Sequence, residues 1–173
     1  MKKTSDDDPS CPRLPGGSSP AFLLAQVGAH AASRFAERLA ELKLTPPHAG
    51  ILRILSATPA ITQQTLAARL RIVPSRLVAF IDDMEARGLV ERQEDADDRR
   101  RYALHLTKKG CSTLAMIGRV SRQHSQMLLA ALSESEQRQL AILLQRVADE
   151  QGLTGAVHPG YRRIGRGEPA LLK

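Results

Sequence analysis

The sequence is poor in aromatic residues, which make up 3% of its 173 positions and include no tryptophan. Proteins that bind single-stranded nucleic acid stack the bases on aromatic side chains, so this shortage disfavours a single strand as the partner. The chain carries a net charge of +7. A basic excess favours a polyanion, because neutralised phosphates release their counterions. If the partner is a nucleic acid, duplex DNA is therefore favoured.

Cysteines and long apolar runs are scarce as well. Two cysteines, Cys11 and Cys111, are too few for the disulfide framework of a small secreted protein. No stretch has the apolar character of a signal peptide or the length of a membrane-spanning helix. These absences predict a cytoplasmic protein with no membrane partner, and a chain of this size can bury a core without disulfides or metals.

Motifs for catalysis and metal binding are missing. The sequence contains no Walker-type phosphate loop, no G-x-S-x-G and no G-x-G-x-x-G. The five histidines are scattered without the spacing of metal ligands. The acidic cluster of Asp95, Asp97 and Asp98 lacks the glycine and the glutamate of a calcium loop. We therefore expect no enzymatic activity, no cofactor and no metal site.

The sequence does show helical periodicity. Apolar residues recur every three or four positions and predict a first helix from Pro20 to about Lys43. Thr45 followed by two prolines is typical of a helix start, and Pro59 should end this second helix. Near the end of the chain, Thr107 should cap a long fifth helix and Ser133 should open a sixth with a capping box.

Two short helices and an alternating segment lie between these long helices. The pattern predicts a third helix over Ile61–Leu70, capped by Thr62, and a fourth from Ser75 to Gly88. Apolar and polar residues then alternate in Leu89–Glu94 and Tyr102–Leu106, which predicts a hairpin around a charged turn. Two short helices joined by a tight turn and followed by a hairpin indicate a winged helix-turn-helix lobe. The expected fold class is mainly α with a small β-wing.

Two motifs in register carry a resemblance to a known family. The first is MEARGLVER at 84–92, and the second pairs DRR at 98–100 with LTKKG at 106–110. Together with the order of the elements, they make residues 21–152 resemble the MarR family of transcriptional regulators. The peroxide-sensing members of the family keep their reactive thiol within the first helix. Cys11 lies before that helix, so a redox switch of that type is not expected.

The resemblance implies both an architecture and a partner. Helices at about 21–43 and 108–152 would form a homodimer, and a DNA-binding lobe at about 45–107 would meet a pseudo-palindromic operator in duplex DNA. This division leaves 1–20 as a flexible tail and 153–173 as a basic tail. The implied function is sequence-specific regulation of transcription, by a repressor that a small aromatic or phenolic acid releases.

The resemblance also selects residues for DNA contact. In the fourth helix, which would be the recognition helix, side chains that face away from the core should meet the major groove. These are Ser75, Arg76 and Ala79, and Arg76 can bind a guanine edge with two hydrogen bonds. Thr62 and Gln63, at the start of the preceding helix, are candidates for phosphate contacts. For Ser75 and Thr62, helix capping alone is an equal alternative.

The charged turn of the hairpin would form the tip of the wing. We expect Arg100 in a narrow minor groove, oriented by Asp98, with Arg99 and Arg101 on phosphates. The alternative is a solvated charged turn without a partner.

Two positions depart from the family pattern. Asp97 stands where many relatives have arginine, so one positive contact is lost. Arg71 stands in the turn that often holds glycine. A turn with negative φ would accommodate an arginine there.

A crevice between the dimerisation and DNA-binding parts takes small aromatic acids in this family. His30 lies on or beside the apolar face of the first helix and is a candidate ligand contact, with Arg38 and Arg53 as partners for a carboxylate. A histidine satisfied in the core or in an interface is the alternative for His30.

Two rival functions would use the same fold. A winged-helix module could bind a protein through an apolar or acidic surface, which the cationic Arg76 and the wing arginines disfavour. An architectural DNA binder would show little preference for any one sequence.

Overall fold

The computed structural model describes residues 19–94 and 102–153. This part of the chain folds into six helices and a three-stranded antiparallel sheet of order β1-β3-β2. The helices are α1 (Pro20–Ala40), α2 (Pro46–Ala57), α3 (Gln63–Leu70), α4 (Pro74–Ala86), α5 (Lys108–Leu128) and α6 (Glu134–Glu150). The strands are β1 (Ile61–Thr62), β2 (Val90–Glu94) and β3 (Tyr102–Leu106). The predicted fold class is confirmed, and no described helix has the length and apolarity to cross a membrane.

The core of the lobe lies between α2, α3, α4 and the sheet. The three residues expected on the buried face of α4, Leu77, Ile81 and Met84, are fully buried there, together with Leu66 and Leu70 of α3. Burying each such side chain stabilises the fold by about 1.5–3 kcal/mol. Their spacing of three or four residues fixes the rotation of α4, so its opposite face must point outward.

The predicted start of the third helix is wrong. Ile61 and Thr62 form β1, which pairs with β3 and places Ile61 opposite Leu104. The helix begins at Gln63, and the predicted cap is confirmed because Thr62 Oγ1 accepts a hydrogen bond from Thr65 N at 3.1 Å. A two-residue strand has no periodicity to detect, and its partner lies far along the chain.

The turn between α3 and α4 also differs from expectation. Arg71 has a φ of 54°, in the left-handed region, where negative φ was expected. Arg71 N donates to Ala68 O and Ile72 N donates to Ala67 O, both at 3.1 Å, which closes the helix as a Schellman-type end. A residue with a Cβ in this region costs about 1–2 kcal/mol, which these bonds and the burial of Leu70 must offset.

The two family motifs meet where α4 ends and α5 begins. Thr107 caps α5 as predicted, since its Oγ1 accepts from Gly110 N at 2.9 Å. The same hydroxyl donates to Gly88 O at 2.6 Å, and Thr107 N donates to Leu89 O at 3.2 Å. The LTKKG segment is thus bonded directly to the Gly88–Leu89 segment of MEARGLVER.

Gly110 allows this approach of the two segments. A Cβ at position 110 would lie 2.0 Å from the carbonyl oxygen of Leu89, far inside van der Waals contact, and the obstacle is backbone rather than a flexible side chain. The glycine of LTKKG is therefore required by close packing.

Helices α1 and α6 expose large apolar side chains in the single chain. None of the 17 residues of α6, all of them within the described range, is buried, although the predicted capping box at Ser133 and Glu136 is present. The exposed apolar side chains of α1 and α6 are Phe22, Leu23, Leu24, Val27, Ile142, Leu143, Leu144 and Val147.

We predict that Gly110→Ala lowers the free energy of unfolding by about 1–3 kcal/mol, because the added methyl group forces α5 away from Leu89. Urea denaturation at a fixed protein concentration measures the change. Gly118→Ala is the matched control in the same helix, since the nearest atom to its new Cβ is the flexible end of Arg122 at 3.6 Å. The control should be neutral or stabilising by up to about 1 kcal/mol. Equal loss in both variants would contradict the packing explanation.

Candidate nucleic-acid interface and ligand cavity

The outward face of α4 carries the predicted major-groove residues. Ser75, Arg76 and Ala79 are all exposed in the first two turns. The helix begins at Pro74 with Val73 in the capping position, so Ser75 lies inside the first turn. Capping by Ser75, one of the two interpretations from sequence, is therefore wrong.

The start of α3 holds the two residues predicted to contact phosphate. Thr62 caps the helix, and its hydroxyl also lies 2.8 Å from the hydroxyl of Thr65. Gln63 is half-buried, and its Oε1 accepts from Arg92 Nη2 at 3.5 Å. The capping interpretation of Thr62 is correct, and phosphate contacts by Thr62 and Gln63 remain predictions.

Arg92 joins β2 to α4. Its half-buried guanidinium lies on β2, 2.5 Å from Asp82 Oδ1, and also donates to Glu85 Oε2, both on α4. Burial by itself would lower the pKa of Arg92, but the hydrogen bond that it donates to Asp82 and the charge of Glu85 outweigh this effect and raise the pKa. The base of the wing is thereby fixed against α4.

Asp83, the third carboxylate of α4, is bonded on the side of α2. Its Oδ2 lies 2.9 Å from Arg87 Nε and 3.0 Å from Nε2 of His48, a buried residue of α2. Sequence reasoning missed His48. The available signal was its position three residues after the cap Thr45, where a capping box places its second polar group.

The tip of the wing lies outside the described residues. Asp98, Arg99, Arg100 and Arg101 all fall in the gap between β2 and β3, and their roles in DNA contact remain predictions. The strands that lead to the tip pair antiparallel, with Glu94 opposite Tyr102.

A cavity of about 530 Å³ lies between α1, α2 and α5. This volume is in the range of sites for small organic ligands. Its walls are mostly apolar, and among the described residues Arg53 is the one charged group that lines it. The lining residues are Ala32, Phe35, Pro46, Ala49, Gly50, Arg53, Leu114, Ile117, Gly118 and Ser121.

The structure brings one of the three predicted ligand residues to this cavity. Arg53 lines it, whereas His30 and Arg38 do not. His30 is exposed, so it is not a core histidine, and Arg38 Nη2 lies 2.8 Å from the sulfur of Met127. Both lie near His124, whose pKa is lowered first by burial and then by the charges of Arg38 and His30. Ligand contact by the three residues stays a prediction.

The comparisons with known proteins agree with this architecture. The family model described as MarR family matches residues 42–101. A candidate transcriptional regulatory protein for the hcr operon of Thauera aromatica is 33% identical over 113 residues, which cover 65% of this chain and 68% of that protein. The chain belongs to the MarR family. The predicted family is thereby confirmed.

Two solved structures are similar to this chain over more than three quarters of its length. The transcriptional repressor CouR, solved bound to a 23-mer DNA duplex, is 29% identical with a TM-score of 0.67 and covers 79% of this chain and 99% of its own. The MarR-family protein Rv2887 of Mycobacterium tuberculosis, solved with salicylic acid, is 26% identical with a TM-score of 0.62, covering 78% and 99%.

We predict that Arg92→Gln lowers the free energy of unfolding by about 1–3 kcal/mol, since Asp82 and Glu85 lose the cation that they share. Adding Asp82→Asn and Glu85→Gln should recover part of the loss, because the carboxylates no longer repel each other. Urea titration measures all three proteins.

The control for this set is Arg34→Gln, which removes the exposed ion pair of Arg34 with Glu37. Exposed pairs contribute about 0.2–1 kcal/mol, so this variant should stay near wild type. A loss from Arg92→Gln no larger than that of the control would refute the bridging role.

Proposed function

We propose that this MarR-family protein is a homodimeric, sequence-specific regulator of transcription in the cytoplasm, a repressor that binds duplex DNA and is released by a small aromatic acid. The observation that carries the proposal is the division of α4 into two parts. Its three carboxylates are bonded within the lobe, and its first two turns expose the neutral and cationic residues Ser75, Arg76 and Ala79.

This division suits a helix that enters the major groove. A phosphate-lined groove repels free carboxylates, and internal pairing of Asp82, Asp83 and Glu85 removes most of that repulsion. Arg76 lies in the first turn, where recognition helices contact base edges, and a guanidinium binds guanine O6 and N7 with two bonds. Arg76 also has an interaction in the free protein, which it would exchange for the base contact.

The wing supplies the second contact in this proposal. Arg92 fixes β2 to α4, and Arg99, Arg100 and Arg101 follow β2 in the sequence, so our proposal assigns them to DNA contact next to the recognition helix. A narrow minor groove concentrates negative potential, and Arg100 is the residue that we place in it. The repressor CouR, which is similar in fold and is solved bound to a 23-mer DNA duplex, supports duplex DNA as the partner.

The exposed apolar faces of α1 and α6 support a dimer. Side chains such as Leu143 and Val147 are about half exposed in the single chain, and a second copy would cover them. Homodimers of this kind are two-fold symmetric, which presents two recognition helices to a pseudo-palindromic site about 34–36 Å apart.

We predict that Arg76→Ala weakens binding to the operator roughly fivefold to a hundredfold, the range of one bidentate base contact, and lowers the free energy of unfolding by no more than about 1 kcal/mol, as expected for an exposed residue. Arg100→Ala should weaken binding with an equally small effect on unfolding. Fluorescence anisotropy measures both variants on a duplex selected by the wild-type protein from a random library.

Arg138→Ala is the control, because Arg138 lies on α6 in an exposed, loose pair with Glu134. Wild-type affinity should fall steeply with salt, and two protomers should bind each duplex. Binding of one protomer per duplex, or equal binding to unrelated duplexes, would exclude a specific dimeric regulator.

The cavity supports the proposed release by ligand. It lies between α2, which belongs to the DNA-binding lobe, and the outer helices α1 and α5, so a ligand there contacts both parts. Arg53 offers a guanidinium to a carboxylate beside apolar walls that suit an aromatic ring. A ligand that prefers one arrangement of the two parts shifts the dimer away from the spacing that fits DNA. The salicylic acid complex of Rv2887 makes salicylate the probe of choice.

We predict that salicylate binds and lowers operator affinity, and that Arg53→Ala weakens salicylate binding by roughly tenfold, the effect of one charge-assisted hydrogen bond. Isothermal titration calorimetry measures the binding. Arg119→Ala is the control, since Arg119 is an exposed residue of α5 that does not line the cavity. Unchanged operator affinity with salicylate bound would rule out release by this ligand.

A further inference from the structure

His48 is buried between α2 and α4, with 6% of its surface exposed. It does not line the cavity and lies away from the exposed residues of α4 that would meet DNA. A buried ionisable ring in this place needs partners on both sides.

The hydrogen bonds of His48 define its protonation. Thr45 N lies 3.1 Å from His48 Nδ1, and Thr45 Oγ1 lies 2.7 Å from the same atom. A backbone N–H can only donate, so Nδ1 carries no proton and accepts. The ring proton is therefore on Nε2, which donates to Asp83 Oδ2 at 3.0 Å. One neutral ring bonds the first turn of α2 at one end and the recognition helix at the other.

Two further contacts reinforce this link. Phe80 of α4 packs against the His48 ring edge-on, with 5.4 Å between the ring centroids. Arg87 donates from Nε to Asp83 Oδ1 at 3.0 Å and from Nη1 to Lys43 O at 2.5 Å. The second half of α4 is thus tied to α2 and to the turn before it, while its first half faces outward.

His48 and the cavity lie on different faces of α2. Pro46, Ala49, Gly50 and Arg53 line the cavity, and their spacing of three or four residues places them on one face. His48 is offset from that row by about half a turn. A displacement of α2 from the cavity side would therefore be passed to α4 through the His48 ring.

We propose that His48 is the positioning residue that holds the recognition helix against α2, and that burial keeps its ring neutral in that role. The effect on operator affinity rests on the function proposed above. The effect on α4 itself does not, because it belongs to the free protein.

Protonation should weaken the packing of the ring. A proton on Nδ1 would end the bond from Thr45 N–H and place a charge in a buried position, although Nε2 would still donate to Asp83. The charged groups that face the ring are Asp83, which favours the added proton, and Arg87, which opposes it. Lys43 lies in the adjacent turn. Burial is the largest effect and lowers the pKa of His48 from 6.5, with the hydrogen bond that His48 donates to Asp83 acting against it and the charge of Arg87 adding to it.

The sign of the pH effect follows from this lowered pKa. The unfolded chain takes up the proton at a higher pH than the folded protein does. Stability from this residue is therefore present above about pH 6.5 and is lost as the pH falls from there towards the folded-state pKa.

His48→Gln separates positioning from capping. Glutamine is a usual third residue of a capping box, so it can accept from Thr45 N. Its single amide cannot also reach Asp83, because the ring uses opposite ends for the two bonds. Asp83→Ala breaks the link from the other side and leaves the cap untouched. His105→Gln, in β3, is the matched control for loss of a histidine.

The first measurement is hydrogen exchange of the α4 amides in the full-length free protein, from about pH 5.5 to 8. We expect wild-type protection of α4 to fall below about pH 6.5 and protection in His48→Gln to be low throughout, by roughly three- to tenfold for one hydrogen bond. Asp83→Ala should lose at least as much protection, because it also removes the pair with Arg87, and adding His48→Gln to Asp83→Ala should cause no further loss. His105→Gln should follow wild type.

The second measurement is affinity for the duplex selected by the wild-type protein. His48→Gln should bind roughly three- to tenfold more weakly at pH 8 and lose the pH dependence that wild type shows. If α4 exchange and its pH profile are the same in His48→Gln and wild type, the positioning role is overturned. If wild type binds no duplex, the proposed function fails, while the exchange experiment still decides the role of His48.

Discussion

The burial of one face of α4 is the interaction on which the rest of this structure depends. Leu77, Ile81 and Met84 are held in the core, and no rotation of the helix preserves their burial while changing what it exposes. The outward residues, Arg76 among them, are therefore set by packing. A mobile loop with the same residues would lose more conformational entropy when it bound a partner.

Charge is distributed to suit that packing. The carboxylates of α4 lie on the sides of the helix, where Arg92, Arg87 and His48 reach them from β2, the end of α4 and α2. Arg92 joins β2 to α4 and His48 joins α2 to α4, while Arg87 pairs with Asp83 at the end of α4 itself. The positions of the wing and of α2 relative to α4 are therefore fixed by the same bonds that leave its outer face without free carboxylates.

The two halves of the family motif are in direct contact in the structure. They meet at the bonds from Thr107 to Gly88 and Leu89, and Gly110 lets the backbones approach. This junction fixes the start of α5 against the end of α4. The cavity against α1, α2 and α5 lies beside the same region.

The sequence by itself determined what local patterns encode. The helices, the caps at Thr62, Thr107 and Ser133, and the buried face of α4 all follow from periodicity and from polar groups within four residues of each other. Only the tertiary structure decided β1, the positive φ of Arg71 and the bond from His48 to Asp83. Each of these depends on what the surrounding fold supplies. A strand of two residues exists through its partner, a strained turn persists because its surroundings hold it, and a buried histidine is defined by the groups that the fold places at its two nitrogens.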